Sequence, residues 1–269
     1  MDLQLDGKIA LVTGSSKGIG EAIAMGLARE GATVIVHGRD ADEAERVRQA
    51  IIDAGGRAHV VFADLTSDAE VGAMVEAARQ QVGDVDILVN NAGGSGAGQA
   101  WDSTDPASWA ATHDRNVLAA VRVTTGFLPG MRARRWGRVI NIASLAGLMP
   151  PARNPDYAAA KAAILAMTAS MSKAVAAEGV TVNTVSPGTI RSAKLEEKFR
   201  EAASERGISD GASWEEVEQA VLSDFAAVPM GRVGTLDEIA DAIAFLASPR
   251  AGYITGSNIR LDGGMLPTF

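Results

Sequence analysis

Short, β-branched apolar runs alternate along this chain with longer amphipathic ones, and that alternation restricts the fold more than any other feature. Residues 8–12, 33–37, 58–62, 85–90, 138–142, 181–185 and 258–261 read as strands. They are apolar nearly throughout rather than at every second position, as strands of a parallel sheet buried on both faces are. Helical patterns occupy 19–29, 41–54, 68–82, 108–134, 156–177 and 236–247. Asp40, Ser67 and Thr235 each stand three residues before a glutamate, the spacing of a helix-capping residue and its partner. Repeated strand–helix alternation predicts an α/β, Rossmann-type doubly wound parallel sheet. No linker or composition break divides residues 1–269, so a single domain is expected. One stretch leaves the pattern. Residues 191–230, with Phe199, Trp214 and Phe225, read as one or two helices inserted before the last strand–helix unit. Such an insertion at the carboxyl edge of the sheet could close over a substrate; an ordinary surface excursion fits the same composition.

Composition narrows the function. The hydrophobic share of 47% supports a sizeable core, and a net charge of −8 argues against nucleic acid as the main partner. The absence of cysteine excludes thiolate nucleophiles, disulfides and cysteine-based zinc sites. The histidines, His37, His59 and His113, do not pair at metal-ligand spacing, so no metal is expected. No apolar run approaches the length of a membrane span, and residues 1–6 lack the pattern of a signal peptide, so a cytoplasmic protein is the expectation.

Gly14-Ser15-Ser16-Lys17-Gly18-Ile19-Gly20 joins the first strand to the first helix. Glycines there permit a tight turn and let backbone amides approach a pyrophosphate, to which the helix N-terminus adds partial positive charge. The G-x-x-x-G-x-G spacing differs from the commoner G-x-G-x-x-G, and its position after the first strand carries the reading. The second strand ends His37-Gly38-Arg39, without the acid that usually binds the ribose hydroxyls of NAD. Arg39, with Lys17, could grip a 2′-phosphate, so NADP is expected over NAD. Asp64 and Leu65 follow the third strand, where a carboxylate could meet the adenine amino group or cap the next helix. Asn90-Asn91-Ala92-Gly93 ends the fourth strand, small enough to pass close to a cofactor, although a buried Asn could equally tie neighbouring strands.

Tyr157 and Lys161 lie four apart in a helical segment, so phenol and ammonium project from one face. A lysine ammonium about 4.5 Å from the phenol, at an effective dielectric of about 20, would favour the phenolate by roughly 3–4 kcal/mol. That is enough to bring a tyrosine from about 10 toward neutrality. The other tyrosine, Tyr253, has no lysine at helical spacing. Ser144 is flanked by Ala143 and Leu145, so the hydrolase elbow G-x-S-x-G is absent.

Taken in order, TGSSKGIG, NNAG, Asn116, Ser144, YAAAK and Pro187-Gly188-Thr189-Ile190 resemble the short-chain dehydrogenase/reductase family of the classical type, over essentially the whole chain. The general look is that of bacterial 3-oxoacyl-carrier-protein reductase-like members. The resemblance implies a catalytic set of Asn116, Ser144, Tyr157 and Lys161. Tyr157 would be the general acid or base, Ser144 a donor to the substrate oxygen, and Asn116 the holder of a relay water. Lys161 would also bind the nicotinamide ribose. Cofactor contacts are expected from Gly14, Ser16, Lys17, Gly18, Ile19, Gly20, Arg39, Asp64, Leu65, Asn91, Ala92, Gly93, Tyr157, Lys161, Pro187, Gly188, Ile190 and Ser192. Ser192 stands where the family often has threonine. The family suggests a homotetramer, with a homodimer as the alternative, and the Ala-rich helix at 156–177 offers a small-residue face for either.

The reading is therefore an NADP(H)-dependent oxidoreductase acting on a ketone or secondary alcohol. Its competitor is a nicotinamide-binding regulatory protein without turnover, which would not need Tyr157. An enoyl reductase would usually have a wider Tyr–Lys gap. The substrate wall is expected from residues 94–97, 145–154 and 191–230. Leu148, Met149, Pro150 and Pro151 make one side apolar, and Arg153, Arg191 and Lys194 are available to an anionic group or to solvent.

Overall fold

The computed structural model describes residues 1–96 and 100–267. Its centre is one parallel seven-stranded sheet in the order β3-β2-β1-β4-β5-β6-β7. The strands are β1 (Ile9–Val12), β2 (Thr33–Gly38), β3 (Arg57–Phe62), β4 (Ile87–Asn90), β5 (Gly137–Ile142), β6 (Val180–Pro187) and β7 (Asn258–Leu261). The predicted strands agree with these to within a residue or two at most ends.

Successive strand residues point to opposite faces, and each face has its own core. Ala10, Val12, Val34, Val36, Ile87, Val89 and Ile140 face α1 (Gly18–Arg29), α2 (Ala41–Asp53) and α9 (Leu236–Ala247). Leu11, Ile35, Leu88, Val139 and Val182 face α3 (Asp68–Val82) and α5 (Ala119–Ala133). Burial on both faces is why the strands carry continuous apolar runs instead of alternating ones.

The helix starts follow the capping chemistry. Asp40 accepts from the backbone of Asp42 and Glu43 at α2, and Ser67 from Glu70 at α3. Thr235 and Glu238 form a reciprocal box at α9. Glu70 departs from that pattern. Its carboxylate accepts from the Asp64 backbone at 2.7 Å, tying the end of β3 to α3.

The segment expected as one helix over 108–134 is interrupted. It runs as α4 (Pro106–His113), a π-helical turn at Asp114–Leu118, then α5. The wider turn lets Asn116 present its side chain inward while Asp114 pairs outward with Arg122 at 2.7 Å. Such bulges collect at functional sites, and no periodicity rule predicts them.

Residues 191–230 form two helices, α7 (Ala193–Glu205) and α8 (Trp214–Phe225). They have a small core of their own around Phe199, Trp214, Val217 and Val221, and the rings of Phe199 and Trp214 stack at 5.6 Å. The remaining long helix, α6 (Pro155–Val175), lies against β6 and carries the Tyr–Lys pair. No helix among the described residues is long and apolar enough to cross a membrane.

Candidate active site

The strand order reverses between β1 and β4, so the loops leaving their carboxyl ends diverge and open a crevice. A cavity of about 560 Å³ fills it. One end is lined by Gly14, Ser16, Lys17, Ile19, Gly20, Arg39, Asp64 and Leu65. Asn91, Ala92, Gly93, Ser144, Tyr157, Lys161, Pro187, Gly188 and Ser192 continue it.

The glycine turn is fixed by its neighbours. A Cβ on Gly20 would overlap the Gly14 carbonyl oxygen, and one on Gly14 would come to 3.0 Å from Ala92 Cα. Asn91 Nδ2 donates to the carbonyls of Thr13 and Gly14 at 2.9 and 3.0 Å. The turn is held further by His37, a residue to which the sequence assigned no role. Gly14 N–H donates to His37 Nδ1 at 2.9 Å, and the other ring nitrogen, Nε2, lies 3.2 Å from the Ala63 carbonyl. Those bonds require the neutral ring with hydrogen on Nε2. Burial holds His37 down at about 4, where it stays neutral.

At the end of β2, Arg39 and Lys17 reach the groove and neither forms an ion pair with another described residue. A side chain at Gly38 would bring its Cβ to 3.1 Å from Ser16 Cβ, which leaves little room for an acid there. The donor set therefore suits a phosphate-bearing dinucleotide. Asp64 lines the groove, but its Oδ1 accepts from both Thr66 N and Thr66 Oγ1, which closes a local turn before α3; the cap of that helix is Ser67, not Asp64. The Ile190 side chain is buried in the core beside Gly234, which leaves only its backbone for the expected cofactor contact. Gly18 adopts a left-handed φ of 61° in the turn, and its role there is conformational. Ser192 caps α7 through Leu195 N at 3.3 Å as well as lining the groove.

At the far end the four expected side chains converge. The hydroxyls of Tyr157 and Ser144 are hydrogen-bonded to each other. Lys161 donates to the Ile142 carbonyl at 2.8 Å, with Nζ 5.6 Å from the Tyr157 ring centre. Asn116 Oδ1 accepts from Gly94 N at 3.1 Å, while its Nδ2 donates to the carbonyls of Gly94 and Thr112. The amide thus spans the π turn and the loop after β4, and a Cβ on Gly93 would overlap Asn116 Oδ1. Asn90 turns away and links β4 to β5 through Asn141 at 2.8 Å.

The electrostatics correct one expectation. Tyr157 is not lowered. Burial pushes it above the ordinary tyrosine value, against the opposing effect of the Ser144 hydrogen bond. Lys161 is almost wholly buried and burial depresses it to about 8, so most of it remains protonated at neutral pH. Desolvation dominates because both groups are buried and the lysine donates to the Ile142 carbonyl.

The substrate wall also differs in part. Leu148 and Met149 are exposed and do not line the cavity. Arg191 is committed, paired to Glu196 at 2.9 Å and stacked on Trp214 at 4.3 Å, so it is not available to an anion. Ala97, included in the expected wall, lies outside the described residues.

Residues 8–203 match the family model for short chain dehydrogenase. The chain belongs to the short-chain dehydrogenase family. It is 39% identical over 263 residues to the 3-oxoacyl-[acyl-carrier-protein] reductase of Vibrio cholerae, covering 98% of this chain and 99% of that protein. With the Escherichia coli K12 reductase of the same name the identity is 38% over 264 residues, at the same coverage. The fold matches the crystal structure of L-sorbose reductase from Gluconobacter frateurii, complexed with NADPH and L-sorbose. The TM-score is 0.90 at 35% identity, over 100% of both chains. A 7α-hydroxysteroid dehydrogenase complexed with NADH and 7-oxo glycochenodeoxycholic acid matches at TM-score 0.85 and 31% identity, over 99% of this chain and 97% of that one. This chain is accordingly an oxidoreductase of that family with a Rossmann-type fold. The two structural relatives carry different nicotinamide cofactors, so the cofactor choice of this short-chain dehydrogenase is a matter for its own β2 end.

Proposed function

We propose that this short-chain dehydrogenase is an NADPH-dependent reductase of a ketone, or in reverse a dehydrogenase of the secondary alcohol, with Tyr157 as general acid and base. The supporting observation is the Tyr157–Ser144 hydroxyl pair near the Lys161 ammonium, at the opposite end of one groove from a glycine turn and two cations, Lys17 and Arg39, that form no ion pair among the described residues. Lys17 and Arg39 would hold a 2′-phosphate, and NADPH supplies the hydride when bound.

In the reducing direction Ser144 donates to the substrate carbonyl oxygen and orients it. Tyr157, kept protonated at neutral pH by its burial, gives its proton to the same oxygen. The phenolate left behind faces the Lys161 cation, which stabilises it and offers a proton in turn. Asn116 keeps the loop after β4 in place at the back of the pocket and is the proposed holder of the relay water. An elevated tyrosine suits the acid role better than the base role. The oxidising direction therefore needs a higher pH or a shift of the lysine toward the hydroxyl. Helices α7 and α8 are the proposed cover of the substrate side, within a single domain spanning residues 1–269.

The test is Tyr157→Phe. Removing the hydroxyl should lower kcat by about 10²–10⁴-fold while the NADPH dissociation constant changes less than about threefold. Turnover at the wild-type rate would remove Tyr157 from the chemistry.

A further inference from the structure

Arg115 stands in the π-helical turn between Asp114 and Asn116, and its side chain lines the same groove as Gly94, Ser144 and Tyr157. Its two neighbours have fixed partners. Asp114 is turned to Arg122, and Asn116 holds the backbone around Gly94. Arg115 has one hydrogen bond, from Nη2 to Thr112 Oγ1 at 2.7 Å, and no ion pair among the described residues. Its Nε is buried with no partner. A desolvated guanidinium donor left unpaired is costly, because an arginine stays charged at any physiological pH.

The guanidinium is also held in place. Thr112 Oγ1, having accepted from Arg115, donates to Asp156 Oδ2 at 2.6 Å, and Asp156 directly precedes Tyr157. On the other side a Cβ at Gly96 would lie 2.9 Å from Arg115 Nη2, so the guanidinium packs under that turn. Asp156 is the nearest carboxylate on this path and is one hydroxyl removed. A second buried polar atom without a partner, Asn154 Oδ1, sits at the start of the same helix. The surroundings of Arg115 are therefore polar, with a donor left unpaired.

Resting on the reductase reading above, the geometry points to Arg115 as the anchor for an anionic oxygen group, such as a carboxylate, on the substrate. A planar guanidinium pairs such a group with two parallel hydrogen bonds. The same chemistry would suit the cofactor's diphosphate. The glycine turn and Lys17, at the other end of the groove, are the proposed phosphate site, whereas Arg115 is tied through Thr112 to the helix that carries Tyr157. The substrate class is then a keto acid, or the hydroxy acid it yields, rather than a neutral ketone.

Acetoacetate and levulinate, each against its methyl ester, present the same carbonyl with and without the charge. With NADPH, the wild-type protein should show kcat/KM at least tenfold higher for one acid than for its ester. Arg115→Leu should reduce that acid-to-ester ratio at least tenfold, chiefly through KM of the acid, and Arg115→Lys should restore part of it. An unchanged ratio in Arg115→Leu, or a wild-type preference for the esters, overturns the assignment. Tenfold weaker NADPH binding in Arg115→Leu with the ratio unchanged would give the guanidinium to the cofactor and also overturn it. If neither acid nor ester oxidises NADPH, the reductase reading is what has failed for these probes. Calorimetric titration of both acids into protein saturated with NADP+ then decides the anchor separately. Binding lost in Arg115→Leu supports it, and no binding to the wild type sinks it.

Discussion

The backbone N–H of Gly14 is held by Nδ1 of His37, 2.9 Å away, so the last turn of β2 sets the shape of the glycine turn after β1. A buried imidazole is thus the brace between two segments that meet the cofactor groove from different strands.

Protonation of His37 would place a hydrogen where Gly14 already donates one. The ring is held at about 4 in the folded protein against 6.5 when free. Between those values the unfolded chain binds the extra proton and the folded chain does not. Stability from this group is therefore complete above about 6.5 and is lost as the pH falls toward 4, by up to roughly 3 kcal/mol. Denaturant midpoints of wild type and His37→Asn, compared at pH 7 and pH 4.5, should show the steeper acid loss in the wild type. Parallel losses would mean that the brace does not titrate.

Lys161 gives a dependence of the same sign in a higher pH range. Its ammonium is buried and held at about 8 against 10.5 when free. Below 8 both states are charged and the folded protein bears the full desolvation cost. From 8 to 10.5 the unfolded chain binds more protons, so stability rises by up to roughly 3 kcal/mol. Relative to wild type, Lys161→Met should be at its most favourable at pH 7, and that relative advantage should shrink by pH 10. Urea denaturation at both pH values measures the difference, and catalysis should fall in the same variant.

Arg39 bears on cofactor choice. Arg39→Ala should weaken NADPH by about 10- to 150-fold, the contribution of a charge-assisted hydrogen bond of roughly 1.5–3 kcal/mol. NADH should change little. Fluorescence titration with both nucleotides reads this directly, and equal losses for the two would place the guanidinium away from the 2′-phosphate.

Gly93 has no room for a side chain. With φ at 153° and Asn116 Oδ1 where a Cβ would stand, Gly93→Ala should push the amide off Gly94. A stability loss of about 1–3 kcal/mol is expected from the backbone conformation alone, with kcat falling in the same protein. Thermal denaturation and initial rates together test it, and a neutral result in both would show that the loop yields freely.

Much of this architecture is legible in the sequence, for identifiable reasons. Strands buried on both faces announce themselves by unbroken apolar runs, and the caps at Asp40, Ser67 and Thr235 follow local chemistry. The convergence of Asn116, Ser144, Tyr157 and Lys161 is legible through their order along the chain. Other features depend on contacts across long sequence separations. The His37 bond to Gly14 spans 23 positions, and nothing around His37 signals it. The π turn that frees Arg115 and Asn116 leaves no periodic trace. Helical spacing misleads on the protonation of Tyr157. It gives the direction of two side chains, but not the carbonyl of Ile142 that draws the lysine aside. The burial of the Ile190 side chain beside Gly234 is equally silent in the sequence, because the bridge joins positions 44 apart.

The reversal of strand order between β1 and β4 divides the labour between the chain's two portions. The phosphate turn and Arg39 come from its first ninety or so residues, while the proton-handling groups all come from the remainder. Neither portion expressed alone would have a complete berth for a dinucleotide. A bound cofactor would act as a clasp across the seam, and its release would loosen both sides at once.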